Sequence, residues 1–291
     1  MRPRSFEYLC PTTLEEAVQM LDKYEEAKVL AGGQSLIPLM KLRIASPKYV
    51  VDITRIPGLS YIKEEGGKLL IGALTTHDMV ENSPLIRQKC PILSEAASVI
   101  GDQQIRNRGT IGGTLCHADP AGDIPTAFLA LDGEVVAVGP SSERVIKASD
   151  FFVDLFTTAL NPNEVVREVR VPVLPPKTGS AYLKHARKEG DLATVSVAAI
   201  VTVDDEGVCK SASIALGSVA PKPLKAVEVE KALLGKKLTE DVIIAASELA
   251  DRGISPPSDI RGSAEYRAEM TKVFTKRALK LALSRIEQAK S

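Results

Sequence analysis

Cysteine is scarce and scattered in this chain of 291 residues. Cys10, Cys90, Cys116 and Cys209 form no CxxC pair. Their spacing argues against a disulfide framework, a zinc knuckle and a ferredoxin-type cluster, and fits four reduced thiols in a cytoplasmic protein. Histidine is scarcer still, with His77, His117 and His185 far apart. No histidine metal site is expected, and each reads as a polar surface or turn residue. An excess of either charge is missing, because 37 basic side chains balance 37 acidic ones. That argues against a nucleic-acid binder or a membrane-surface protein. No apolar run approaches the roughly 18 to 20 residues of a membrane span. The opening stretch MRPRSFEYLCPTTLEEA lacks a signal peptide's apolar core. Fixed-period repeats are absent, as are GxGxxG, a Walker phosphate loop, GxSxG and HExxH. No nucleophile has a base partner in view, so no catalytic side chain and no metal ligand is assigned.

What remains is an ordinary globular composition, 44% hydrophobic and 25% charged. Twenty glycines and eighteen prolines imply many turns and argue against a simple helical bundle. Thr13 and Glu16 form a capping box before a helical stripe of Leu14, Ala17, Val18 and Leu21. A short strand, Lys28 to Ala31, runs into Gly32-Gly33. A helix from Ser35 to Leu42 and a strand from Tyr49 to Ile53 complete a first unit, residues 1–58. The second unit, 59–175, has a strand at Leu69 to Ala73, a short helix capped by Thr76 and a helix at Pro91 to Ile100. A glycine-rich passage follows, then an apolar helix from Asp123 to Leu131. Glu134 to Val138 and Val165 to Val171 read as strands of one sheet. Pro172, Pro175, Pro176 and Gly179 mark a boundary. Residues 176–291 then read as strands at Ser180 to His185, Thr194 to Val203 and Lys210 to Leu216, with a hairpin turn at Asp204 to Gly207. Helices at Lys225 to Leu234, Asp241 to Arg252 and Ala264 to Ala289 finish the chain, an α+β arrangement.

Two passages could carry chemistry: Ala31-Gly32-Gly33-Gln34-Ser35-Leu36 and Thr110-Ile111-Gly112-Gly113-Thr114. Glycine lets a ligand approach main-chain N–H groups with no Cβ in the way. Consecutive N–H groups in such a turn make a concavity for an anion, and a following helix adds its positive end. Ser35, Thr110 and Thr114 can add hydroxyl donors. Two such cradles suit the two phosphates of a dinucleotide, although each glycine pair also reads as a plain tight turn.

AGGQSLIPLMKLR followed by IGDQQIRNRGTIGGTLCHADPAGDIP resembles the FAD-binding medium subunits of the molybdenum hydroxylases, the group of carbon monoxide dehydrogenase and the xanthine dehydrogenase flavin domain. The resemblance covers nearly the whole chain. It implies an α+β protein: a two-subdomain FAD-binding fold of the PCMH type, like vanillyl-alcohol oxidase, then a small α+β C-terminal domain. It also implies FAD held at its pyrophosphate by Gly32 to Leu36, after Ala31, and by Thr110 to Thr114. Asp123 would accept from the ribose or adenosine, or else cap its helix. Ile100 and Leu160 would give apolar contacts, or else belong to the core. Arg187 to Thr194 resembles the segment that reaches the isoalloxazine, with Asp191 in that segment. Leu192 stands where some relatives carry an aromatic residue, and Lys188 or Arg187 would place positive charge near the flavin or else face solvent. The implied partners are an iron–sulfur small subunit and a molybdopterin-binding large subunit, in a dimer of heterotrimers. Electrons would arrive from the iron–sulfur clusters and leave to an external acceptor. This chain lacks the cysteines with which one class of relatives holds an extra cluster. A stand-alone FAD oxidoreductase and a flavin-less assembly scaffold are the alternatives.

Overall fold

The computed structural model describes residues 2–288. Thr13 caps helix Leu14–Lys23, its Oγ1 accepting from Glu16 N at 3.1 Å, while the Glu16 carboxylate accepts from Thr12 N at 2.7 Å. The helix buries Ala17, Val18 and Leu21 with Val51, Ile53, Ile56 and Leu59. Val51 belongs to a three-stranded parallel sheet in which Tyr49–Asp52 lies between Glu7–Leu9 and Ala27–Leu30.

An antiparallel sheet of five strands organises the second unit. Its order is Ile62–Glu65, Lys68–Gly72, Val165–Pro172, Glu134–Val138 and Glu143–Lys147. Helices His77–Asn82, Pro84–Lys89, Pro91–Ser98, Gln103–Arg106, Ile111–His117 and Asp123–Ala130 occupy the chain between Gly72 and Glu134. Ile92, Leu93, Ile111, Leu115, Ile124 and Phe128 are fully buried in the core they share with the sheet. The glycine-rich passage is therefore partly helical. Ile62–Glu65, Glu143–Lys147 and Pro84–Lys89 are additions to the elements read from sequence.

Past the proline run, Thr178–His185, Val195–Val203, Cys209–Gly217 and Leu224–Lys225 form a four-stranded antiparallel sheet. Its side chains alternate between two cores, as the two-residue period of a strand requires. Tyr182, Ala198, Ile200 and Ala215 join the core of the second unit. Ala181, Val195, Val197, Ala199 and Val201 instead join the core with helix Ala264–Gln288. Gly179 permits that helix's close approach, since a Cβ there would stand 1.8 Å from Ala282 O. The expected last residue of this helix, Ala289, lies outside the described residues. No helix among those described is long and apolar enough to cross a membrane.

Candidate functional site

Strand Ala27–Leu30 delivers the chain into the turn Ala31–Ser35, and helix Leu36–Lys41 follows. Gly33 has φ +75, where a side chain would strain the backbone. Among the described residues, the main-chain N–H groups of Gly32, Gly33, Gln34, Ser35 and Leu36 donate to no protein acceptor, and the Ser35 side chain makes no cap. None of these residues is fully buried. Five unspent donors in one turn form the concavity that suits an anion.

The second passage is built differently. Ile111–His117 is a helix, and Thr110 Oγ1 caps it by accepting from Gly113 N at 3.1 Å. Ile111 N donates to Thr75 O at 2.9 Å, Gly112 N to Ala73 O at 3.0 Å and Thr114 N to Thr110 O at 3.0 Å. Of the five N–H groups read from sequence as phosphate donors, Thr110 to Thr114, the last four are thus already spent, which corrects that expectation for them. Helix capping and the bonds to the Ala73–Thr75 segment satisfy them instead. The hydroxyls of Thr110 and Thr114 and the bare Gly113 remain on offer. Gly112 serves packing, since a Cβ there would stand 2.7 Å from Ala73 Cβ.

The two passages meet. A Cβ on Gly32 would lie 1.9 Å from Arg108 O, and one on Gly113 would lie 3.8 Å from Ala31 Cβ. Backbone therefore touches backbone where the first two units join. Beside the contact opens a cavity of about 330 Å³, with Gly32, Thr54, Ser60, Thr76, Arg108 and Thr110 in its wall. Next to it, the His77 ring lies so close to Gly109 that a Cβ there would stand 2.8 Å from Cδ2. His77 is buried, not a surface residue as its sequence context suggested, and its Nδ1 has no partner. Burial, then the charge of Arg106, lowers its pKa to about 4.

Asp123 is the first residue of its helix, and Gly122 occupies the cap position, so the side-chain cap is also corrected. Its buried carboxylate accepts from Tyr182 Oη at 2.7 Å and from Lys184 Nζ at 2.9 Å. Burial raises the Asp123 pKa despite the opposing pull of Lys184. Lys184 also donates to Val99 O at 3.0 Å, beside Ile100. Its ammonium has three donors and two recorded acceptors, and its side chain is only 8% exposed. The sequence reading passed over Lys184 in favour of Lys188, which is exposed. The signal was present in the strand period: Lys184 lies two residues from Tyr182 and shares its face.

Ile100 and Leu160 are half-buried against the core of the second unit. Lys188, Asp191 and Leu192 lie on the hairpin loop 186–194 between the first two strands of the C-terminal sheet. At its tip Gly190 lies against Gly101, with space for a Cβ only 3.0 Å from Gly101 O. The loop therefore rests beside Ile100. Leu192 is 42% exposed there. Asp191 has both carboxylate oxygens committed, one to Arg187 and the other to Arg261, each at 3.0 Å. The Arg261 bond leads in holding its pKa down to about 2.

Residues 4–174 match the family model of the FAD binding domain in molybdopterin dehydrogenase, and residues 180–282 match the CO dehydrogenase flavoprotein C-terminal domain. The chain belongs to the FAD-binding medium subunits of the molybdenum hydroxylases. This medium subunit is 40% identical to the 6-hydroxypseudooxynicotine dehydrogenase complex subunit alpha of Paenarthrobacter nicotinovorans, over 100% of this chain and 98% of that one. It is 42% identical to the carbon monoxide dehydrogenase medium chain of Hydrogenophaga pseudoflava, over 98% and 99% of the two chains. The solved carbon monoxide dehydrogenase of that organism superposes with a TM-score of 0.95 at 43% identity, covering 98% of this chain and 99% of that one. The medium subunit's cofactor is FAD. The unspent donors at Gly32 to Leu36 fit its diphosphate.

Proposed function

We propose that this chain is the FAD-carrying electron-transfer subunit of a multi-subunit molybdenum hydroxylase, with an iron–sulfur small subunit and a molybdopterin-binding large subunit as partners in a dimer of heterotrimers. The single observation that carries the reading is the run of five open N–H donors at Gly32 to Leu36, set against the Arg108–Gly109 backbone. Hydrogen bonds to a charged group contribute roughly 1.5 to 3 kcal/mol each, so four or five hold a diphosphate without a lysine. Ser35, Thr110 and Thr114 add hydroxyl donors around it. Asp123 fixes Lys184 as a buried positive charge, and Ile100, Leu160 and Leu192 supply apolar cover. When bound, FAD supplies electron-transfer chemistry that takes electrons singly or in pairs. The chain's own residues bind it, orient it and exclude water, which is why no nucleophile or acid–base dyad is required. The substrate is chosen by the large subunit, and the cytoplasm is the expected compartment.

The test is to load the purified chain with FAD and offer it carbon monoxide, an aldehyde or an N-heterocycle. Flavin bleaching is expected only after the iron–sulfur and molybdenum subunits are added. Turnover by the chain alone would establish a self-sufficient oxidoreductase. A colourless protein that rejects FAD would establish an assembly scaffold.

A further inference from the structure

The loop 186–194 has an elaborate charged support that binding alone does not explain. Its C-terminal stem is held by Arg267, a guanidinium only 2% exposed, which donates from Nη1 to Thr194 O at 2.5 Å and to Ser218 O at 3.2 Å. Ser218 Oγ adds a bond to Ala193 O at 2.7 Å. Arg267 Nη2 reaches Asp259 Oδ1 at 2.7 Å, and the same oxygen accepts from Arg261 N at 2.8 Å. The Arg261 guanidinium then holds Asp191 Oδ1 at 3.0 Å, while Arg187 holds Asp191 Oδ2 at 3.0 Å. Positive and negative groups thus alternate from the buried start of helix Ala264–Gln288 out to the loop tip. A buried guanidinium is costly to leave unpaired, and here the Nη1 and Nη2 donors are engaged while Nε has no partner among the described residues, so the ladder hangs on the two terminal nitrogens. The far end of this chain of bonds is the tip that places Gly190 on Gly101 and presents Leu192.

We propose that Arg267, Asp259, Arg261 and Asp191 form a positioning ladder that clamps the Leu192 loop across the flavin site, and that Asp191 acts through this ladder and not as a ligand of the cofactor. The ladder joins the segment before the last helix to a loop that spans the boundary with the FAD-binding part of the chain. Each of its links is a charge-assisted bond, stronger than a neutral one. The loop is thereby held fixed against Gly101. This inference rests on the flavin reading above.

The experiment uses the full chain loaded with FAD and compares wild type, Asp191→Asn and Asp191→Glu. Three quantities are measured: amide hydrogen exchange of residues 186–194, iodide quenching of the bound flavin's fluorescence, and the FAD dissociation constant. Asp191→Asn is expected to speed exchange in the loop, raise quenching several-fold and weaken FAD binding, with the melting temperature nearly unchanged. Asp191→Glu, which keeps the charge, is expected to restore all three towards wild type. Faster exchange with unchanged quenching and affinity would make the ladder purely structural and overturn the proposal. Weakened FAD binding with unchanged loop exchange would make Asp191 a direct ligand and overturn it too. Failure of the wild-type chain to take up FAD would overturn the flavin reading itself, a result visible before any variant is made.

Discussion

Ala31–Leu36 and Thr110–Thr114 look alike as strings of letters, each a glycine pair with a hydroxyl residue within two positions after it, and the chain uses them in opposite ways. The first is an open turn in which the N–H groups of Gly32 to Leu36 have no protein acceptor among the described residues, and the second opens a helix whose first four N–H groups are engaged. Their glycines differ in the same sense. Gly32 lets its backbone touch that of Arg108 beside the candidate site, whereas Gly112 lets a helix sit on Ala73. Paired glycines therefore report close approach. What approaches is decided by whether the N–H groups are satisfied locally.

Three substitutions break or sharpen this contrast. Gly32→Ala has the largest expected effect, because a Cβ 1.9 Å from Arg108 O forces the two passages apart. A stability loss of about 3 kcal/mol or more is expected, with loss of bound FAD. Normal flavin-to-protein absorbance in this variant would contradict the contact. His77 tests how the second passage is seated. Its folded pKa of about 4 lies below its ordinary 6.5, so the unfolded chain binds its proton first as pH falls. Stability is full above pH 6.5 and is expected to drop by about 3 kcal/mol by pH 4. Denaturant melts across that window should flatten in His77→Gln, and an unchanged slope would count against the burial. Gly112→Ala is expected to cost about 1 to 3 kcal/mol through crowding on Ala73, while the folded fraction still binds FAD. Loss of FAD at an unchanged melting temperature would show that Gly112 touches the phosphate after all.

Much of the fold was legible because its elements carry strong periods. Ala17, Val18 and Leu21 marked a helix, and the run Val195–Val203 marked a strand. Elements that bury little were missed: Ile62–Glu65 has no fully buried residue and Glu143–Lys147 has only Ile146. At the site, the glycine passages and Asp123 were visible as letters, but their bonding was not. No local signal says that Gly112 N meets Ala73 O, 39 residues back, or that Asp123 meets Tyr182 and Lys184, about 60 residues ahead. Those partners are set by sheet register and domain docking. Lys184 was the one site residue that local alternation could have revealed.

The most direct test of the central claim is a crystal structure of the chain with FAD bound. The account predicts diphosphate oxygens at hydrogen-bond distance, about 2.7 to 3.2 Å, from main-chain nitrogens between Gly32 and Leu36. Ile111 N and Gly112 N should still bond Thr75 O and Ala73 O in that structure. A diphosphate seated away from the first turn, or held mainly by those two nitrogens, would contradict it.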